Sequence, residues 1–163
     1  MPSKVTELVF QAAQTHKLDP KLIAAIILQE SRGDRCAWRY EDGFYRHYIQ
    51  PATLYELGGH LPPSRLLNQA GELRARAYSW GLMQIMGQTA RENGFSSDYW
   101  EDLWKPEINI PLGCRVFARK LRAAGNDTRK ALLLWNGGGN PKYDDEVLAR
   151  IENGEADKFL AWD

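Results

Sequence analysis

Cysteine and histidine are scarce in this chain. Cys36 and Cys114 are its two cysteines, and His16, His47 and His60 its three histidines. They form no CxxC, HxxxH or HxxEH, so neither a redox motif nor a metal site is expected, and no cofactor. In a reducing compartment both cysteines read as free thiols, with a Cys36–Cys114 bridge formed after release as the other reading. An excess of one charge is also missing. Lys plus Arg and Asp plus Glu each number 21, for a formal net charge of zero. No global field would hold nucleic acid, and Arg115, Arg119, Lys120 and Arg122 read as a solvated helix face. No apolar run reaches the roughly 18 residues of a membrane span, so no stable membrane insertion is expected. The opening stretch, MPSKVTELVFQAAQTHKLD, lacks the apolar core of an export signal, which predicts synthesis in a cytoplasm. Repeats and low-complexity segments are absent too. The 163 residues suffice for one domain, 1–163, with a core that needs no covalent staples.

What is present is mainly helical patterning. Val5, Leu8, Val9, Ala12 and Ala13 give the stretch 2–16 an inner face. Asp19-Pro20 is a cap followed by a proline at the first helical position, so a second helix runs to about Ser31. Residues 32–50 read as irregular and aromatic. Pro51 reads as the start of a short helix ending at Gly58-Gly59, and Pro62-Pro63 as a break. Residues 63–77 form a weak helix rich in Arg and Glu. Residues 78–86 suit a strand or a turn, and 89–93 a helix stopped by Gly94. Pro106 opens a long helix to about Ala124 with Ile108, Leu112, Val116, Phe117 and Leu121 inward. Asp127 caps another, 144–152 forms a third, and the tail 155–163 is expected to add one helical turn.

Glu30 breaks this pattern. It shares a helix face with Ile23, Ile26 and Ile27 at spacings of three and four. A carboxylate there is costly unless it is paired, hydrogen-bonded or protonated. Burial against isoleucines and an aromatic wall would raise its pKa, and a neutral glutamate is a general acid. Three further stretches carry two readings each. "GLMQIM" (81–86) is either core or a groove wall, with Gly81 allowing close backbone approach and Met83 beside Gln84 offering soft and polar contacts. "WNGGGNP" (135–141) is either a flexible turn or a backbone that something approaches. "YEDGFY" (40–45) places Glu41 and Asp42 among aromatics, as solvated loop charges or as a second acid.

Four words, taken in order, resemble the catalytic domain of soluble lytic transglycosylases and, more loosely, goose-type lysozymes. They are "IILQES" (26–31), "GLMQI" (81–85), "LWKPEINIPLGCR" (103–115) and "ALLLWNGG" (131–138). The resemblance implies a mainly α, lysozyme-like domain with a cleft and a small β element between residues 32 and 85. It implies a monomer acting on peptidoglycan glycan strands. The family's acid falls on Glu30, which would protonate the oxygen between N-acetylmuramic acid and N-acetylglucosamine. The same carboxylate would then draw the proton from the muramic C6 hydroxyl, giving a 1,6-anhydro end. Ser31, Gly81, Leu82, Met83, Gln84, Asn136 and Tyr143 are carried over as substrate-binding or supporting positions. Trp135 stands where the family commonly has tyrosine.

The spacing departs from the family between Glu30 and Gly81, where an insertion or flap at 38–77 is expected. Ser79 is nearest to the serine that usually supports the glutamate, and Glu41 is a second candidate helper. A hydrolase of the same bond is the alternative, with a water placed by Glu41, Asp42 or Asp34. A non-catalytic glycan-binding or assembly module is the other. A wall-degrading enzyme without an export signal would reach the wall through a phage holin pore or with a virion or secretion machine, and an endolysin fits that expectation.

Overall fold

The elements of the computed structural model follow in chain order. They are α1 (Lys4–His16), α2 (Pro20–Ser31), β1 (Trp38–Tyr40), α3 (Asp42–Phe44) running into a π-helical turn (Tyr45–Ile49), α4 (Leu54–Leu57), α5 (Gln69–Arg76), β2 (Tyr78–Trp80), β3 (Ile85–Met86), α6 (Gly87–Glu92), a 3-10 turn (Trp100–Trp104), α7 (Pro106–Ala123), α8 (Thr128–Asn136), α9 (Tyr143–Glu152) and α10 (Glu155–Leu160). The structure describes residues 4–61 and 69–161. The expected Pro62-Pro63 break, the start of the 63–77 helix, part of the 38–77 flap and the ends of the chain lie outside them. The chain divides into two compact units, 1–33 with 113–163, and 34–112.

The first unit is built around α2. Asp19 adopts extended backbone and its carboxylate accepts from the Lys21 N–H, while Pro20 supplies the preset first turn. Leu22 to Ile27 are all buried, Ile23, Ala24, Ala25, Ile26 and Ile27 completely. An apolar run of this kind is buried on nearly every side, and α2 contacts α1, α9 and α10. The helix stops at Arg32, whose left-handed backbone directs its N–H to the Leu28 carbonyl. α8 starts at the expected cap, Asp127, which accepts from the Lys130 N–H, and it ends at Gly137 with φ 69°. Arg129 then joins α8 to the start of α9 through Asp144 at 2.7 Å and Asp145 at 2.6 Å.

The second unit holds a three-stranded antiparallel sheet in the order β1-β2-β3. Trp38 faces Trp80, Tyr40 faces Tyr78, and Ser79 faces Met86. Its interior contains a charge cluster: Glu72 and Arg76 of α5 and Arg91 of α6 are each at most 1% exposed. α7 opens in this unit and continues in the first.

Local chemistry moves several expected boundaries. Residues 42–49 are helical, not irregular: Asp42 pairs with Arg46 at 2.9 Å and His47 Nδ1 bonds the Gly43 carbonyl at 2.8 Å, each one turn apart. The short helix after Pro51 begins at Leu54, because Thr53 and Glu56 form a reciprocal capping box. The deepest residues of α7 include Asn109, Ile110 and Cys114, which the expected stripe omits, while Ile108 and Leu121 are half-buried.

Candidate active site

Glu30 is the last but one residue of α2 and is half-buried. Its Oε1 accepts two hydrogen bonds. One comes from the Trp135 indole Nε1 at 3.0 Å and the other from the Tyr143 hydroxyl at 2.6 Å. The donors lie at the end of α8 and the start of α9, and three helices therefore converge on one carboxylate. Phe117 of α7 meets the Trp135 ring edge-on, with centroids 5.8 Å apart. Tyr143 is 4% exposed. Burial, then the Glu30 carboxylate beside it, push its phenol well above the usual tyrosine range. Tyr143 is thus a neutral O–H donor across the working range of pH.

The neighbours of Glu30 hold it in place. Gln29 donates to Glu146 at 2.7 Å and accepts from Arg150 at 2.9 Å, so the end of α2 is tied to α9 at two points. Glu146 also accepts from Asn140 at 2.9 Å. The Ser31 hydroxyl donates to the Ile27 carbonyl at 3.2 Å and accepts from the Gly33 N–H at 3.2 Å, which closes the helix end. Asn136 governs the glycine loop. With its amide oxygen turned to the loop, it accepts from the backbone N–H of Gly139 at 3.0 Å and Asn140 at 2.6 Å. Gly137 and Gly138 have φ of 69° and 83°, and a Cβ at either would meet nothing within 4 Å. These glycines serve the left-handed backbone of the turn, not a close approach.

The Gly81–Gln84 turn lies in the second unit and is organised by Asn109. That side chain, fully buried, donates to the carbonyls of Trp80 at 2.9 Å and Leu103 at 3.0 Å, and accepts from the Met83 N–H at 2.9 Å. Gly81 has φ 72°, and a Cβ there would lie 2.4 Å from the Leu103 carbonyl oxygen. The close approach expected at Gly81 is therefore to the protein's own backbone. Leu82 and Met83, carried over as groove residues, are 1% and 0% exposed and pack as core. Gln84 is half-buried with φ 45°, its amide donating to the Gly81 carbonyl and accepting from Ser79 Oγ, both at 2.9 Å.

The other candidate carboxylates have partners of their own. Glu41 pairs with Arg39 at 2.6 Å, Asp42 with Arg46, and Asp34 accepts from the Cys36 N–H at 2.9 Å. Both cysteines are free thiols. Among the described residues, no group of three or more His, Cys, Asp or Glu is arranged to hold a metal ion, and no helix is long and apolar enough to cross a membrane.

Three residues here were not singled out as site or support by the sequence. Trp135 was visible only as an odd residue in a matched word. Asn109 carries the same signal as Glu30, a polar side chain on an apolar helix face. Gln29 carried none.

This helical frame, with its small sheet and its Glu30-centred cluster, is that of a lysozyme-like domain. The family model described as the transglycosylase SLT domain matches residues 7–155, and the chain belongs to that family, whose members degrade peptidoglycan as lytic transglycosylases. Neither the curated proteins nor the solved structures searched contain a match.

Proposed function

We propose that this protein cleaves the β-1,4 bond between N-acetylmuramic acid and N-acetylglucosamine, with Glu30 as general acid and then base, and leaves 1,6-anhydromuramic ends. The observation that carries the reading is the Glu30 carboxylate, half-buried beyond the apolar run 22–28 of its helix and held through Oε1 by an indole and a phenol. Neutral donors orient a carboxyl group without committing it to the charged form, as a group that must gain and lose a proton requires. A glutamate in an apolar setting is a recurring solution for protonating a glycosidic oxygen.

The transglycosylase outcome is favoured over hydrolysis because the candidate water-placing carboxylates are otherwise engaged. Glu41 and Asp42 hold arginines, and Asp34 holds a backbone N–H. Asn136 shapes the loop beyond α8, and Tyr143 and Ser31 support Glu30. Gln84, set by Ser79, is the proposed amide contact to the substrate. Leu82, Met83 and Gly81 act by holding that turn. Segment 38–77 is read as an addition to a single domain, because the chain leaves and returns at neighbouring points: Tyr40 lies opposite Tyr78, and the Glu41 N–H donates to the Ala77 carbonyl.

Mass spectrometry of purified peptidoglycan digests tests the proposal. Anhydro-ended muropeptides from wild type, lost with Glu30→Gln, support it. Reducing-end products would establish a hydrolase instead. Full activity in the variant would remove Glu30 from the chemistry.

A further inference from the structure

We infer that the exposed indole of Trp38 is a stacking platform for an N-acetylhexosamine ring of a glycan strand, a binding site within the second unit. The inference rests on the glycan substrate of the proposed function, and not on the acid role of Glu30.

Trp38 is 59% exposed, an unusual place for the side chain with the largest apolar surface. It is nevertheless firmly held. One face of its ring stacks on Tyr78, with centroids 5.1 Å apart and planes 22° apart. Tyr78 meets Tyr40 at 5.1 Å and Trp80 at 5.7 Å, and Trp80 stacks on Trp100 at 5.8 Å. Trp80 and Trp100 are buried, so Trp38 is the outer end of a row of rings that runs into the core. The backbone is fixed on both sides of it. The Gly81 N–H donates to the Ala37 carbonyl at 2.8 Å, and the Glu41 N–H to the Ala77 carbonyl at 2.9 Å. A ring held in this way loses little freedom when a ligand covers its open face.

The surroundings select the occupant. The ionic groups that follow Trp38 are paired, Arg39 with Glu41 at 2.6 Å and Arg46 with Asp42 at 2.9 Å. An apolar ring among neutralised charges suits an uncharged ligand with one apolar face and a polar rim. A β-1,4-linked N-acetylhexosamine is such a ligand. Its axial C–H groups make a face that lies flat on an aromatic ring, while its hydroxyls and acetamide stay in water. Nucleic acid would need unpaired cations for its phosphates. A second copy of the chain would need far more surface, because the indole exposes about 150 Å² where a stable dimer buries about 800 Å² per partner. Trp38 also lies outside the four words that match the family, at the start of the segment read as an addition. The platform is thus a hold on the polymer that this chain adds.

Two measurements test this, both in the Glu30→Gln chain so that glycan is not consumed. The first follows the Trp38 indole 1H–15N resonance, assigned with Trp38→Phe, as tetra-N-acetylchitotetraose is added. A saturable shift is expected, and a resonance that stays in place would overturn the inference. The second is co-sedimentation with purified peptidoglycan sacculi. Trp38→Ala should weaken binding about tenfold, and Trp38→Tyr, which keeps a ring on the strand, should stay within about threefold of the parent. Sacculi stripped of their peptide stems by an amidase should bind as well as intact ones. Equal binding by Trp38→Ala, loss of binding with the stems, or a dimer that Trp38→Ala dissolves in analytical ultracentrifugation would each overturn it. An unmoved Trp38 resonance beside retained binding removes this platform alone, whereas sacculi that retain neither chain remove the glycan substrate as well. Digestion assays of Glu30→Gln decide the acid role separately.

Discussion

Glu72 and Glu30 each lie on a helix, and each accepts an indole N–H, yet their surroundings differ in kind. Glu72 is 1% exposed and accepts from Arg76 Nε at 3.0 Å, Arg91 Nε at 3.0 Å, Arg91 Nη2 at 3.2 Å and Trp100 Nε1 at 3.1 Å. The guanidinium of Arg91 also lies 4.2 Å from the Trp100 ring centroid. Arg76 reaches on to the carbonyls of Gly58 at 2.7 Å and His60 at 3.0 Å, tying the end of α4 to α5. Two buried guanidinium groups pair with Glu72, and the group acts as a structural joint. Oε1 of Glu30 accepts instead from a phenol and an indole, both neutral donors. Burial alone does not give a glutamate its role; its partners separate the structural joint at Glu72 from the proposed acid at Glu30.

Exchanging the two carboxylates for neutral groups should separate their roles. Glu30→Gln should lower the rate of anhydromuropeptide release by about 10²- to 10⁴-fold, with its urea midpoint near that of wild type. Loss of folding together with activity would make Glu30 a second joint. Glu72→Gln should do the reverse, costing about 3–5 kcal/mol of stability by urea unfolding, because two buried guanidinium groups lose their counter-charge. A stable Glu72→Gln protein would show that the cluster is not what holds the second unit. Gly81→Ala, which places a Cβ 2.4 Å from the Leu103 carbonyl in a backbone at φ 72°, should cost about 1–3 kcal/mol.

Smaller effects mark other contrasts. Cys36 is exposed and Cys114 buried, with burial pushing the Cys114 thiol up to about 12, so iodoacetamide at pH 8 should label the native chain only at Cys36. Labelling at Cys114 would reveal opening of that region. Lys105, then Ser97, hydrogen-bond to Asp102 and hold its carboxyl below the ordinary 3.8. A depressed native pKa gives stability that is present above 3.8 and is lost as pH falls through the native value. Asp102→Asn should therefore cost less than about 1 kcal/mol near neutrality, since the lysine is exposed, and the difference should vanish in strong acid. A difference that persists at pH 2 would point to packing.

Much of the helical frame was legible locally. Asp19-Pro20, Pro106 and Asp127 mark helix starts through groups one to three residues away, and Glu30 stands out by its spacing from Ile23, Ile26 and Ile27. The helical stretch 42–49 was hidden because its aromatic residues have no clear period, and the α4 start because the capping box outranks the nearby proline. The burial of Glu72 and Arg76 was illegible in an Arg- and Glu-rich segment that resembles a solvated helix. Their second cation, Arg91, is 19 positions away from Glu72.

By itself the sequence determined where helices begin, that an apolar helix carries a glutamate at its end, and that four ordered words match a glycan-cleaving family, because caps, periodicity and words are short-range. Only the tertiary structure decided which groups meet that glutamate. Trp135 and Tyr143 are 105 and 113 positions from Glu30, and they reach one oxygen because α9 packs on α2 and α8 packs on α9. Tertiary structure likewise turned Asn109 into the clamp of the Gly81 turn and gave Glu72 two cations. A buried polar group takes its role from its partners, and those partners are supplied by the fold.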